Sequence, residues 1–163
     1  MFGVRLIYYG FLDLIMYRKV ALILFYDKRG RILLQNRRGI SKHGEEWGYF
    51  GGRIKPGETA EDAIIREVKE ELDFDLKEYT FIGIVRTTDQ RGKIKRHVFI
   101  SPLPDMKQLK QKEGKNMQLF SLQEAKKVKS VFGDDKVIRK LEQMKWSTNI
   151  HSSEASTPKT FRQ

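Results

Sequence analysis

Residues 19–27, KVALILFYD, form a nearly unbroken apolar run, the pattern of a strand buried on both faces. A Lys28-Arg29-Gly30 turn follows, and RILLQN at 31–36 returns, so the pair predicts a hairpin. Residues 37–46 are a polar loop, and WGYF at 47–50 is a short aromatic strand leading to a glycine loop at Gly51-Gly52. The period then changes. Ile64, Val68 and Leu72 recur every four residues, which marks a helix that buries one side. Thr59 is placed as its N-cap, and Asp62 completes a capping box.

Beyond the helix, alternation resumes. Residues 78–89 and 93–101 read as strands joined by a turn at Gln90-Arg91-Gly92, and Pro102 and Pro104 end the second. Residues 105–115 are a charged loop, and 116–120 a short strand. Ser121, with Glu124 as its capping-box partner, opens a helix expected to run through Val128. Residues 133–146 make a last amphipathic helix, with Val137, Ile138 and Leu141 on one face. The order β-β-β-α-β-β-β-α-α, with hairpins demanding antiparallel pairs, predicts a mixed sheet between helical layers, an α/β/α sandwich.

Composition adds further constraints. At 163 residues the chain has the length of one domain, expected over 18–146. Residues 1–17 are apolar but broken by Arg5, Gly10 and Asp13, so they are expected to pack or lie on a surface, not to insert stably in a membrane, which takes about 20 apolar residues. Residues 147–163 are polar and Ser/Thr-rich and read as a disordered tail. No cysteine is present, which excludes disulfides and thiolate metal sites and suits a reducing compartment such as the cytoplasm. The formal net charge of +11 has two readings: solubility, or a field that draws in anions such as nucleotides or RNA.

Glu67, Glu70 and Glu71 lie within five positions of the central helix. At roughly 100° per residue they share one side, next to the apolar stripe. Like charges so spaced cost about 0.2–0.5 kcal/mol per pair. An ordinary charged face accounts for them if Arg66 pairs with Asp62 or Glu70. A hard divalent cation, which takes oxygen ligands, accounts for them better.

Gly52, five residues, Glu58, seven residues, Arg66-Glu67-Val68-Lys69-Glu70-Glu71, one residue, then Asp73-Phe74: this spacing resembles the Nudix box, the signature of the Nudix hydrolases and of their MutT-like members. The one departure is Asp73, where the family has glycine. That glycine ends the helix in the left-handed conformation, which Asp reaches at some cost, and an Asp charge is unfavourable at a helix C-terminus.

The resemblance implies a Mg²⁺- or Mn²⁺-dependent enzyme that cleaves a pyrophosphate bond in a nucleoside triphosphate or another nucleoside diphosphate-linked molecule. Sugar nucleotides, dinucleotides and capped RNA are alternatives, as is a non-catalytic nucleotide- or RNA-binding module. By position, Glu67, Glu70, Glu71 and the Gly51 carbonyl would hold metal. Arg66 would orient the glutamates, Glu58 would brace the loop against the helix, and Gly52 and Gly57 would shape it. The general base would be Glu67, or Glu113 from the later loop, unless Glu113 is only a solvated charge. For the substrate, Arg37, Phe50 and Asp134 are the candidates, against bland readings as a basic loop, a packed ring and an acidic helix N-terminus. Trp47, Lys42, His43 and His97 carry no firmer assignment.

Overall fold

The computed structural model describes residues 17–41, 44–89, 91–129 and 134–144. The expected N-terminal segment before Tyr17, the tail from residue 147, and Lys42, His43, Gln90, Gly133 and Trp146 lie outside them. In chain order the elements are β1 (Tyr17–Tyr26), β2 (Ile32–Asn36), β3 (Trp47–Gly48), β4 (Phe50–Arg53), α1 (Ala60–Leu72), β5 (Thr80–Asp89) and β6 (Gly92–Pro102). A 3-10 turn (Met106–Gln108) leads to β7 (Met117–Phe120), α2 (Leu122–Ala125) and α3 (Asp134–Gln143).

The strands make one mixed sheet of seven, ordered β3-β2-β1-β6-β5, with β4 also on β1 and β7 on β2. β1 is its axis. It runs parallel to β6 along its full length, Tyr17 beside Lys93 through Tyr26 beside Pro102. Val20 to Ile23 pair antiparallel with Arg53 to Phe50. The expected β1–β2 hairpin is therefore short: only Tyr26 and Ile32 pair. Parallel pairing with β6 and antiparallel pairing with β4 occupy the rest of β1, and β2 turns to β7 and β3. The β5–β6 hairpin forms as expected.

The helices cover opposite faces. Ala63, Ile64, Val68 and Leu72 of α1 pack on Ala21, Ile23, Phe50 and Phe99, all wholly buried. Val137, Ile138 and Leu141 of α3 pack on Leu24, Leu34, Val85, Val98 and Phe120. Each of these side chains larger than alanine contributes about 1.5–3 kcal/mol through burial. Among the described residues, no helix is long and apolar enough to cross a membrane.

Both expected capping boxes form, Thr59 with Asp62 and Ser121 with Glu124. Three local expectations change. Gly51-Gly52 is not a loop but the middle of β4, because its edge completes the pairing of β1. The aromatic run 47–50 splits into β3 and β4, which pair with different strands. α2 stops at Ala125, where the Lys127 N–H tightens onto Glu124 O at 2.9 Å.

Asp73 ends α1 at φ 49° and ψ 36°, its N–H on Lys69 O. Its charge is not the liability expected at a helix C-terminus. Lys69 Nζ lies 3.2 Å from Oδ1, and Lys110 and Lys112 lie 3.7 and 3.9 Å from Oδ2. Lys69 accordingly holds the Asp73 carboxyl below its ordinary value. The same loop closes the helix end: Lys112 N–H donates to Glu71 O and Lys110 N–H to Leu72 O, each at 2.8 Å. Asp73→Gly relieves the left-handed strain but removes the lysine pairs, which salt screens. The variant should melt higher than wild type, with a gap that widens as salt is added. A lower melting temperature at every ionic strength would contradict this helix end.

Candidate active site

The site is built where α1 crosses β4. Gly51 has φ 122°, and a β-carbon there would stand 2.1 Å from Ala21 O in the neighbouring strand. Its N–H donates to Glu71 Oε2 at 2.9 Å. At Gly52 a β-carbon would lie 2.5 Å from the Glu67 carboxylate. The Glu67 side chain therefore rests in the space that a glycine leaves open. The two glycines are adjacent but serve different neighbours, one the sheet and one the helix.

Arg66 gathers the acids around it. Its Nε and Nη2 donate to Glu58 Oε1 and Oε2 at 2.7 and 3.0 Å, a bidentate pair. Nη1 donates to Glu67 Oε1 at 2.6 Å and Glu70 Oε2 at 3.2 Å, and Nη2 also reaches Arg53 O at 3.1 Å. Glu58 Oε2 additionally accepts from Lys55 N–H, which ties the turn through Gly57 (φ 81°) to the helix. Arg66 and that N–H hold the Glu58 carboxyl down to about 2. The acids in turn raise the Arg66 guanidinium, Glu58 most.

The three helix glutamates are not equivalent. Glu71 is 4% exposed, whereas the Glu67 and Glu70 side chains are 15% and 54% exposed. Burial pushes the Glu71 carboxyl up to about 8. The Gly51 hydrogen bond and the Arg37 charge act against this rise, while Glu67 and Glu113 add negative charge that favours it. Among the described residues no three acids converge as a ready cation cage. Glu67 and Glu70 each give an oxygen to Arg66, and Glu71 gives one to Gly51. The donor set still fits a hard cation: all are oxygen ligands, and a buried carboxylate flanked by two others is what such a cation neutralises.

The Glu113 loop is held from below. Gln35, wholly buried, donates to Glu113 O at 3.2 Å, and Gln111 Nε2 donates to the same oxygen at 2.6 Å. Arg37 does not project toward solvent as a basic loop residue would. It donates to Gln35 Oε1 and to the buried Glu45, each at 3.2 Å. Its charge reaches Glu71 from that position. Gln35 and Glu45 were not legible as site residues: one looks like an ordinary strand end, the other like a loop charge.

Phe50 is corrected outright. It is wholly buried and set edge-on to Phe25, with centroids 6.1 Å apart, so its ring offers no face to a ligand. Trp47 packs edge-on to Phe120 at 4.8 Å. Asp134 opens α3, but its side chain lies outside the described residues.

A family model described as the NUDIX domain matches residues 16–141. The chain belongs to the Nudix family. It is 31% identical over 90 residues to a putative 8-oxo-dGTP diphosphatase of Bacillus subtilis (strain 168), covering 54% of this chain and 55% of the relative. It is 30% identical over 66 residues to an 8-oxo-dGTP diphosphatase of Proteus vulgaris, covering 40% and 59%. The matches thus span a little over half the length of these two curated relatives. The crystal structure of the MutT protein from Methanosarcina mazei Go1 superposes with a TM-score of 0.69 at 20% identity, over 80% of this chain and 96% of that one, and so shares the fold. In this Nudix chain the helix segment of the signature is the part that Arg66 organises.

The two glycines predict opposite failures. Gly51→Ala drives a methyl group into backbone at a left-handed φ and should cost more than about 3 kcal/mol of stability. Gly52→Ala meets only a movable carboxylate and should stay within about 1 kcal/mol of wild type while displacing Glu67. Thermal melts of both variants check this, and equal losses would contradict it.

Proposed function

We propose that this Nudix protein is a MutT-like hydrolase that cleaves a pyrophosphate bond of a nucleoside triphosphate, with Mg²⁺ or Mn²⁺ as cofactor, in the cytoplasm. The observation that carries the reading is the paired arrangement of Glu67, Glu70 and Glu71 around Arg66 and the β4 glycines. Relatives named as 8-oxo-dGTP diphosphatases favour a nucleoside triphosphate over a sugar nucleotide, a dinucleotide or a capped RNA end. The full set of carboxylates weighs against a non-catalytic module.

Glu67, Glu70, Glu71 and the Gly51 carbonyl would hold the cation, which when bound neutralises phosphate charge and acidifies a coordinated water. Arg66 keeps Glu67 and Glu70 on one side of the helix, each with one oxygen left for the cation. Glu58 fixes Arg66 and needs no contact with substrate to do so. A carboxylate takes the proton of the attacking water. Glu67 is the nearer candidate by position in the cluster, and Glu113, on its clamped loop, is the second. The new P–O bond forms in line as the bond to the departing pyrophosphate breaks, leaving a nucleoside monophosphate.

Incubation with Mg²⁺ and a panel of nucleotides, read as phosphate and pyrophosphate release, tests this. A nucleoside triphosphate should be turned over to the monophosphate and pyrophosphate. Glu70→Gln should lower turnover by about a hundredfold with the melting temperature unchanged. Tight nucleotide binding without turnover of any panel member would overturn the enzyme reading, and wild-type rates in Glu70→Gln would overturn the metal assignment.

A further inference from the structure

The β5 edge carries an accumulation of positive charge that the carboxylate site does not use. On the α1 face of the sheet, Lys19 stands beside Lys95, and Lys95 stands beside Arg86 across the next strand pair. Three cations thus sit in one row over three strands, about 10 Å from end to end. The adjoining row holds Tyr17, Lys93 and Thr88. Lys95 Nζ lies 4.5 Å and Lys93 Nζ 5.7 Å from the Tyr17 ring centroid.

The local field registers on a neighbour. His97, one row along β6 from Lys95, is held below its ordinary pKa first by burial and then by Lys19, with Lys95 and Arg86 adding to the effect and Glu61 opposing it. Beyond His97 the surface turns aromatic. Phe81, 45% exposed, lies 6.1 Å from His97 and 5.2 Å from Phe99, centroid to centroid. The opposite flank of β5 is basic as well. A cleft of about 330 Å³ between Ile84-Val85 and α3 is lined by Lys136, Arg139 and Lys140. Arg139 pairs with Asp135. Lys140 Nζ lies over the open side of Gly83, 3.1 Å from where a β-carbon would stand.

We propose that the β5 edge, with the Lys19–Lys95–Arg86 row and Phe81 on one flank and the Lys136–Lys140 cleft on the other, is a docking surface for single-stranded RNA. Charge complementarity and extent decide the partner. From Lys93 to His97 the surface runs about 13 Å along β6, and the second flank lies around the edge. That is broader than one phosphate group and suits a chain of them. The accessible ring beside the cations suits an unpaired base, since stacking on aromatic side chains is how single strands are held without sequence readout. The surface is distinct from the carboxylate site. Glu67 lies against Gly52 on the β4 side of α1, whereas Glu61, about 120° around the helix, is the acid whose charge acts on His97. The proposal therefore stands whether or not the hydrolase reading does.

Fluorescence anisotropy of the full chain with a labelled oligouridylate of about twelve nucleotides tests it. Binding should weaken with salt, with a log–log slope of about −0.7 per phosphate contacted. Arg86→Glu with Lys95→Glu should weaken binding at least tenfold and flatten that slope. Phe81→Ala should weaken it about fivefold or more with the slope kept. Both variants should hydrolyse a small nucleotide as wild type does. If the double charge reversal fails to fold, Arg86→Gln alone should still weaken binding and reduce the slope. No binding at low salt, undiminished binding in these variants, equal affinity for a duplex of the same length, or displacement of the oligonucleotide by phosphatidylserine vesicles would overturn the proposal.

Discussion

One guanidinium holds the centre of this molecule together. Glu58, Glu67 and Glu70 crowd on one turn and one helix, and Arg66 bonds to all three and to a β4 carbonyl as well. Without it the acids repel one another, and among the described residues the Glu58 carboxylate is left with the Lys55 N–H as its partner. A lysine could not replace it, since one point charge cannot span a bidentate carboxylate and two further acceptors in fixed directions. Arg66 thus joins fold to chemistry: the contacts that tie α1 to β4 also set where the carboxylates stand.

The remaining architecture serves that junction. β1 is paired with β6 along its whole length, and its other edge from Val20 to Ile23 gives β4 a fixed strand to build on. Gly51 lets β4 lie close against β1, Gly52 leaves room for the Glu67 side chain of α1, and Glu71 is buried against the Gly51 N–H. Burying a carboxylate beside others costs stability. The protein accepts that cost at Glu71 while the Gly51 N–H and the Arg37 charge limit it. A bound divalent ion would turn the cost into attraction, which is the physical core of the proposed function.

Signals carried by neighbouring residues survive intact in the fold. Both capping boxes, the stripe Ile64-Val68-Leu72, the β5–β6 hairpin and the left-handed exit at Asp73 depend on neighbours within a few positions, and all are present. What escaped depends on distant partners. Nothing in the run at 19–27 marks its parallel partner β6, and that pairing leaves the β1–β2 hairpin with only Tyr26 and Ile32 opposed. Gly51-Gly52 has the composition of a loop and becomes strand only because β1 needs an edge. Arg37 looked solvent-facing until Gln35 and Glu45 were brought against it, and Phe50 looked like a stacking ring until α1 covered it. The helix half of the site was legible because the chain carries its acids in one turn. Its supports were not, because the fold assembles them.

The central claim is that the α1 carboxylates form one cation site with Glu71 as its buried member. Titration of Mn²⁺ into the metal-free protein, followed by electron paramagnetic resonance, tests it most directly. Saturable binding should weaken at least about tenfold in Glu71→Gln, a substitution that keeps the volume and removes the charge. Equal Mn²⁺ affinity in wild type and Glu71→Gln would contradict the account.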